Sequence, residues 1–201
     1  MKYLSEIKAE DFLEKNGFNV VPRVRVSKKS ELSKALIKIS YPFVMKISGK
    51  KIVHKNYLNG IRLNIKNYTE ALKNFLELKK IKGCTEVLIQ RKIEGKEFLV
   101  GIKYTKDFGH VIAFGAGGIK TEEKKDVSFR VPPLEKKELE HLIKSVKATK
   151  GLLKKEGEAI ESFLMQVSDL IEKHPQIKEL DINPLMVNGN QAIIVDARIL
   201  M

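Results

Sequence analysis

The chain has 201 residues, 43% of them hydrophobic, which is enough for a packed interior and excludes a disordered chain. Its 38 Lys and Arg against 25 Asp and Glu leave a charge of +13 and a pI near 9.6. That balance favours anionic partners of many kinds (nucleic acid, lipid, nucleotide, coenzyme, acidic subunit) without choosing among them. Cys84 is the single cysteine, so a disulfide framework and a multi-cysteine metal site are excluded. No apolar run reaches the roughly 18 residues a membrane span needs, and Met1–Glu6 turns charged at once, unlike a secretory leader. The expectation is a soluble, cytoplasmic chain. Abundant Lys and Glu beside four Gln match a bias of hyperthermophile proteins.

The length fits one domain or two small lobes. Ser5 is placed to cap a first helix whose Ile7, Phe12 and Leu13 face inward and which Gly17 stops. Val20–Val26, interrupted by Pro22, reads as an edge strand. Ser30 opens a second helix with Leu32, Leu36 and Ile39 on its apolar stripe, Tyr41–Pro42 ends it, and Phe43–Ile47 is a strand. Asn67 with Glu70 three residues on resembles a capping box for a helix carrying Leu72, Phe75 and Leu76. Strands Glu86–Ile93, Glu97–Lys103 and His110–Phe114 follow with short links, so sequential neighbours are expected to pair antiparallel. Gly115–Gly118 and a charged segment lead to Pro132–Pro133, then helices 134–146 and 159–171. Strands Leu180–Val187 and Ala192–Arg198 close the chain around Asn188–Gly189–Asn190. The fold class is α+β with mostly antiparallel pairing.

That closing hairpin carries the most chemistry. A loop at Gly189–Asn190 makes 188 face 191, so partners sum to 379 and Asn183 stands opposite Asp196, Asp181 opposite Arg198. A loop at Asn188–Gly189 shifts the sum to 377 and puts Asp181 opposite Asp196. Either register leaves Asp181, Asn183 and Asp196 on one face, where oxygen donors of this kind suit Mg²⁺ beside phosphates. The same residues serve equally as the polar face of an exposed hairpin. Lys46, in a mainly apolar strand, can hold a phosphate as a point charge or snorkel at a sheet edge. Gly115–Gly118 follows a strand, as phosphate cradles do, but matches neither the dinucleotide fingerprint nor the P-loop. His54 lies among Lys46, Lys50, Lys51 and Lys55, where cations disfavour its protonation and leave a neutral imidazole nucleophile; a basic loop is the plainer reading. His141 and His174 read as surface residues, and His110 as structural or solvated.

Seven segments then occur in an ordered series: Tyr41–Pro–Phe–Val–Met–Lys46, Ile52–Val–His–Lys55, Val87–Leu–Ile–Gln90, Gly115–Ala–Gly–Gly118, Asp126–Val–Ser–Phe–Arg130, Glu179–Leu–Asp–Ile–Asn–Pro–Leu185 and Val195–Asp–Ala–Arg198. The series resembles the beta subunit of archaeal ADP-forming acetyl-CoA synthetase, an ATP-grasp protein related to the succinyl-CoA synthetase beta subunit. The resemblance implies an ATP-grasp fold, two lobes with antiparallel sheets clasping a nucleotide: a smaller lobe over 22–90 and a larger one over 1–21 and 91–201. It implies Lys46 on the nucleotide phosphates, Gln90 near adenine, Glu97 near ribose and phosphates, and Asn183 and Asp196 on Mg²⁺. His54 matches a histidine that relays a phosphoryl group between a phosphohistidine of a CoA-binding alpha subunit and ADP, in a heterotetramer. Asp181, Glu122, Lys55, Gly117 and Gly118 fall beside these positions.

Two departures accompany the match. After His54–Lys55 the chain reads Asn56–Tyr57–Leu58–Asn59–Gly60, where relatives carry Ser-Asp and a Gly-Gly pair, and Thr105–Lys106–Asp107–Phe108–Gly109 replaces an Asp-Pro-x-Phe-Gly run. The implied cofactor is Mg²⁺ with ATP or ADP as substrate, and no membrane is called for. Rival readings are another acid-CoA ligase of the succinyl-CoA synthetase type, an inactive scaffold, and a basic nucleic-acid-binding module. The last is disfavoured because no zinc-finger spacing, RRM signature or dense arginine run is present.

Overall fold

The computed structural model describes residues 2–49, 58–118 and 126–201. By contacts the chain divides into two compact units, Val21–Ile93 and Met1–Val20 with Glu94–Met201.

The smaller unit holds β1 (Arg23–Val26), α2 (Lys29–Lys38), β2 (Phe43–Ser48), β3 (Ile61–Ile65), α3 (Tyr68–Lys79) and β4 (Glu86–Arg91), after α1 (Glu6–Lys15) of the larger unit. Its sheet runs β1-β4-β2-β3, with every pair antiparallel. Strand alternation sends Phe43, Met45, Ile47, Val87 and Ile89 to one face, where Leu32, Ala35 and Ile39 from the α2 segment and Ala71, Phe75 and Leu78 from α3 cover them. Each such large side chain, fully buried, stabilises by about 1.5–3 kcal/mol. Helix α3 begins as its sequence predicts. Asn67 Oδ1 accepts the Glu70 amide at 2.9 Å, and the Glu70 carboxylate accepts the Lys66 amide at 2.9 Å. Leu76, expected inside, is exposed, and Leu78 takes its place in the core. Helix α2 starts at Lys29 rather than at Ser30: Glu31, at its third position, reaches back to the amides of Ser27 and Lys28 at 2.8 and 3.2 Å and so closes the helix one turn back at Lys28.

The larger unit adds β5 (Lys96–Thr105), β6 (Gly109–Ala116), β7 (Val127–Arg130), α4 (Lys136–Ser145), α5 (Lys154–Lys173), β8 (Glu179–Asn188), β9 (Gln191–Ile194) and β10 (Ala197–Leu200). Its sheet runs β10-β8-β5-β6-β7, with β9 continuing the β10 side of β8, all antiparallel. Phe98, Val100, Ile102, Ile112, Phe114, Leu180 and Ile182 line its core face beneath α1, α4 and α5. Ser5 sits at the start of α1 without a side-chain cap bond, and Gly17 follows its end at φ +87°.

The expected pairing of β4 with β5 does not occur. β4 is already paired along both edges by β1 and β2, and β5 starts instead against β8, so close that a Cβ on Gly95 would lie 2.5 Å from the Val187 carbonyl. Strands β3 and β7 were not legible as strands in the sequence.

The final hairpin adopts the register that sums to 379: Asn188 faces Gln191 and Arg198 faces Asp181. Strict alternation, however, breaks once on each arm. The buried series Leu180, Ile182 steps by three to Leu185 and Val187, and the facing series Ile199, Ala197 steps by three to Ile194. Because both arms carry the extra residue at the same level, the register survives it. No helix among the described residues is long and apolar enough to cross a membrane.

Candidate functional site

The matched steps put Asn183–Pro184 and Val195–Asp196 opposite each other, held by Asn183 N–H to the Asp196 carbonyl and Val195 N–H to the Pro184 carbonyl, both 3.2 Å. Asn183 and Asp196 each adjoin a buried residue, Ile182 and Ala197, and so lie off the core side of the sheet.

Asn183 Oδ1 accepts the Gly118 amide at 3.2 Å. Gly118 has φ +93°, and a Cβ there would strike Glu97 Oε2. One residue earlier, the Gly117 amide donates to the Glu97 carbonyl at 2.9 Å, and a Cβ on Gly117 would lie 2.5–2.7 Å from the Phe98 backbone. The two glycines are therefore required by close approach, and they draw Glu97 of β5, Gly118 after β6 and Asn183 of β8 into one cluster. That meeting of three strands is invisible to local pattern, since the residues span 97 to 183.

Asp181 faces Arg198 across the β8–β10 pair. Its side chain keeps solvent contact, but the surrounding protein withdraws enough water to push its carboxyl above the usual range; Arg198 opposes the rise and Asp196 adds to it. Two carboxylates and a guanidinium thus share one neighbourhood. Arg198 was visible as the partner of Asp181 in the hairpin arithmetic and is the residue to add to this edge of the cluster.

In the smaller unit, Lys46 and Gln90 lie on the face opposite α2 and α3. Lys46 pairs with Leu88 and Val44 with Gln90, and both polar residues are buried, at 5% and 1% exposed. At 5% exposed, Lys46 is buried on this face and does not snorkel at a sheet edge. His54, Lys55 and Glu122 lie outside the described residues.

The other histidines are structural or exposed. His110 Nε2 is 2.7 Å from the Ile177 carbonyl and its ring packs on Tyr104. His174, expected at the surface, is half-buried, edge-on to Phe12 and 2.9 Å from Asn16 Oδ1. His141 is exposed.

The amide oxygen of Asn183 and the carboxylate of Asp196 are hard donors of the kind Mg²⁺ takes together with phosphate oxygens and water. Two protein ligands suffice for an ion that keeps the remainder of its shell for substrate, so the donor set fits.

The profile of the ATP-grasp domain matches residues 1–201. The beta subunit of acetate–CoA ligase [ADP-forming] I of Pyrococcus furiosus is 36% identical over 213 residues, covering 98% of this chain and 91% of that one. The chain belongs to the ATP-grasp family. Acetate–CoA ligase [ADP-forming] II of Archaeoglobus fulgidus is 34% identical over 204 residues, and there this ATP-grasp chain spans 30% of the relative's length. Among solved structures, the acetyl-coenzyme A synthetase 1 of Ca. Korarchaeum cryptofilum, in complex with coenzyme A and Ca-AMPCP, matches with a TM-score of 0.89 and 30% identity over 100% of this chain and 93% of that one. A second structure of it, with coenzyme A and Mg-AMPPCP and its phosphohistidine segment pointing towards the nucleotide site, matches at 0.84.

Proposed function

We propose that this ATP-grasp chain is the nucleotide-binding part of an ADP-forming acyl-CoA synthetase, catalysing acyl-CoA + ADP + phosphate ⇌ carboxylic acid + CoA + ATP. The convergence of Glu97, Gly118 and Asn183 carries the reading, in a chain 36% identical to such a beta subunit over nearly its full length.

In this assignment Lys46 holds nucleotide phosphates as a buried point charge, Gln90 lies on the adenine side, and Glu97 orients the ribose and phosphates. Asn183 and Asp196 hold Mg²⁺, which when bound neutralises phosphate charge. Gly118 fixes Asn183 Oδ1 through its amide. Arg198 restrains Asp181 so that a second carboxylate stays beside Asp196. His54, with Lys55 adjacent, takes the phosphoryl group from a phosphohistidine of the CoA-binding partner. One P–N bond breaks as another forms, and attack by a β-phosphate oxygen of ADP then breaks the second and frees the imidazole. Positioning and electrostatic stabilisation do most of the work in such a transfer. The partner is a CoA-binding alpha subunit or domain, in a heterotetramer, and Glu122 stands near the phosphates.

The test has two parts. Mg-ADP at roughly 100 times its Kd should stabilise the chain by about 2.7 kcal/mol, and an acid-labile, base-stable phosphoryl label should reach this chain when partner, acyl-CoA and phosphate are mixed. Loss of the label in His54→Ala supports the relay; its persistence removes His54 from it. No stabilisation by Mg-ADP, with tight and steeply salt-dependent oligonucleotide binding instead, replaces the whole reading by the nucleic-acid one.

A further inference from the structure

The net charge is not shared between the units. Residues 21–93 hold 18 Lys and Arg against 4 Asp and Glu, a surplus of +14, whereas the rest of the chain holds 20 against 21, or −1. All of the excess charge belongs to 73 residues.

Within that unit the acids of the two helices are engaged locally. Glu31 and Glu70 close helix N-termini, and Glu77 meets Arg62 of β3 at 3.5 Å. The outward stripes away from the sheet are Lys34, Ile37 and Lys38 on α2, and Lys73, Leu76 and Lys80 at the end of α3, all exposed. Ile37 is 86% exposed, with Lys34 three residues before it, and Leu76 is 44% exposed, between Lys73 three before and Lys80 four after. The helices touch each other and pack on one side of the sheet, so the two stripes form one surface. Lys46 and Gln90 lie on the opposite side of that sheet, so this surface is separate from the proposed nucleotide contacts.

We propose that the outer face of α2 and α3 docks an acidic, apolar-centred protein surface on the CoA-binding partner. A phosphate backbone accounts for lysines but not for an isoleucine presented almost whole to solvent, and one exposed apolar residue on the stripe of each helix is less than the apolar face an interfacial membrane helix buries. An apolar centre within a charged rim is the make-up of a protein interface. In the Archaeoglobus relative the matched region is 30% of the polypeptide, so there the ATP-grasp part lies in one chain with a much larger remainder, the kind of protein surface this face would meet. Helices of 10 and 12 residues are about 15 and 18 Å long; side by side about 10 Å apart, they offer a footprint at the small, transient end of specific interfaces. Only the partner's identity rests on the function proposed above.

The experiment compares the full chain with a Lys34→Glu/Lys38→Glu/Lys73→Glu/Lys80→Glu variant and, separately, with Ile37→Ser. Titration calorimetry at low and moderate salt uses three probes: the CoA-binding partner, poly(U) RNA, and phosphatidylglycerol vesicles. Affinity for the partner should fall about 10-fold or more in the charge-reversed variant at low salt, mostly through the on-rate, and should fall in Ile37→Ser at both salts, while stabilisation by Mg-ADP is unchanged in each. Equal partner affinity in wild type and both variants overturns the docking face. So does charge-sensitive binding of RNA or vesicles that Ile37→Ser leaves intact while partner binding is unaffected. Absence of Mg-ADP stabilisation in the wild type counts against the proposed function, not against this face.

Discussion

Three glycines separate backbone strain from steric collision, and together they test the cluster. Gly109 has φ +67° with nothing within 4 Å of an added methyl, so Gly109→Ala meets strain alone. A non-glycine residue in the left-handed region costs about 1–2 kcal/mol, partly offset by the roughly 0.4–1 kcal/mol that alanine gains by restricting the unfolded chain. Gly118, at φ +93°, carries the same strain, and its methyl meets the end of the Glu97 side chain. A carboxylate can swing aside, so Gly118→Ala should cost about as much stability as Gly109→Ala, about 1 kcal/mol. What it displaces is the Glu97 carboxylate and the amide that holds Asn183 Oδ1. Mg-ADP affinity should therefore fall about 10-fold, or 1.4 kcal/mol. Gly117→Ala drives a methyl into the Phe98 backbone at 2.5–2.7 Å, which cannot swing; its loss should reach about 3 kcal/mol or more. Urea titration gives the stabilities and calorimetry the nucleotide affinity. Wild-type Mg-ADP affinity in Gly118→Ala would show that the meeting of Glu97, Gly118 and Asn183 has nothing to do with nucleotide.

Other outcomes follow from single contacts. Asn67→Ala removes the α3 cap and should lower stability by about 1 kcal/mol without altering nucleotide affinity; an unchanged urea midpoint refutes the cap. The Glu156 carboxyl is held below its ordinary value because Lys96 Nζ donates to it at 2.7 Å and the Leu153 amide at 2.8 Å. Its stabilisation is therefore present above the unfolded value near 4.5 and is lost as pH falls through the lower folded one. Glu156→Gln should be less stable than wild type at pH 7, with the two converging below pH 4.5; a gap that persists at low pH refutes the ion-pair cause. Asp196→Ala should abolish the Mg²⁺-dependent part of ADP binding and leave the urea midpoint within about 1 kcal/mol of wild type; Mg²⁺-dependent binding retained in full makes the hairpin structural.

Legibility in the sequence followed the range of each interaction. Helix α3 was readable because its signal, Asn67 with Glu70, lies within four residues of its own start. The hairpin registers could be enumerated because a tight loop fixes partners by arithmetic, and the structure chose between them. β3 and β7 escaped because each is a short edge strand whose identity comes from its neighbour: Ile61–Ile65 from β2, Val127–Arg130 from β6. The wrong pairing of β4 with β5 came from treating a short link as a turn, when β4 had both edges occupied by strands distant in sequence. Among site residues, Lys46, Asn183 and Asp196 could be picked out from strand pattern and hairpin arithmetic, whereas Gln90 and Glu97 came only from the resemblance. That Gly118 ties two of them together required coordinates, since its two neighbours, Glu97 and Asn183, lie 21 and 65 residues away along the chain.

The paired three-residue steps on the closing arms constrain how this segment can change over generations. Deleting one residue from the stretch 183–184 alone would leave that arm strictly alternating while the other still steps by three, so the pairing slips by one and Ile194 turns from oil towards water; a deletion at 195–196 alone would do the same to Leu185 and Val187. Removing one from each arm restores the inward set but erases the offset that presents the amide and the acid. Length changes here are tolerable only in matched pairs, and even matched pairs forfeit the ligands, so drift in this hairpin is confined to side-chain identity.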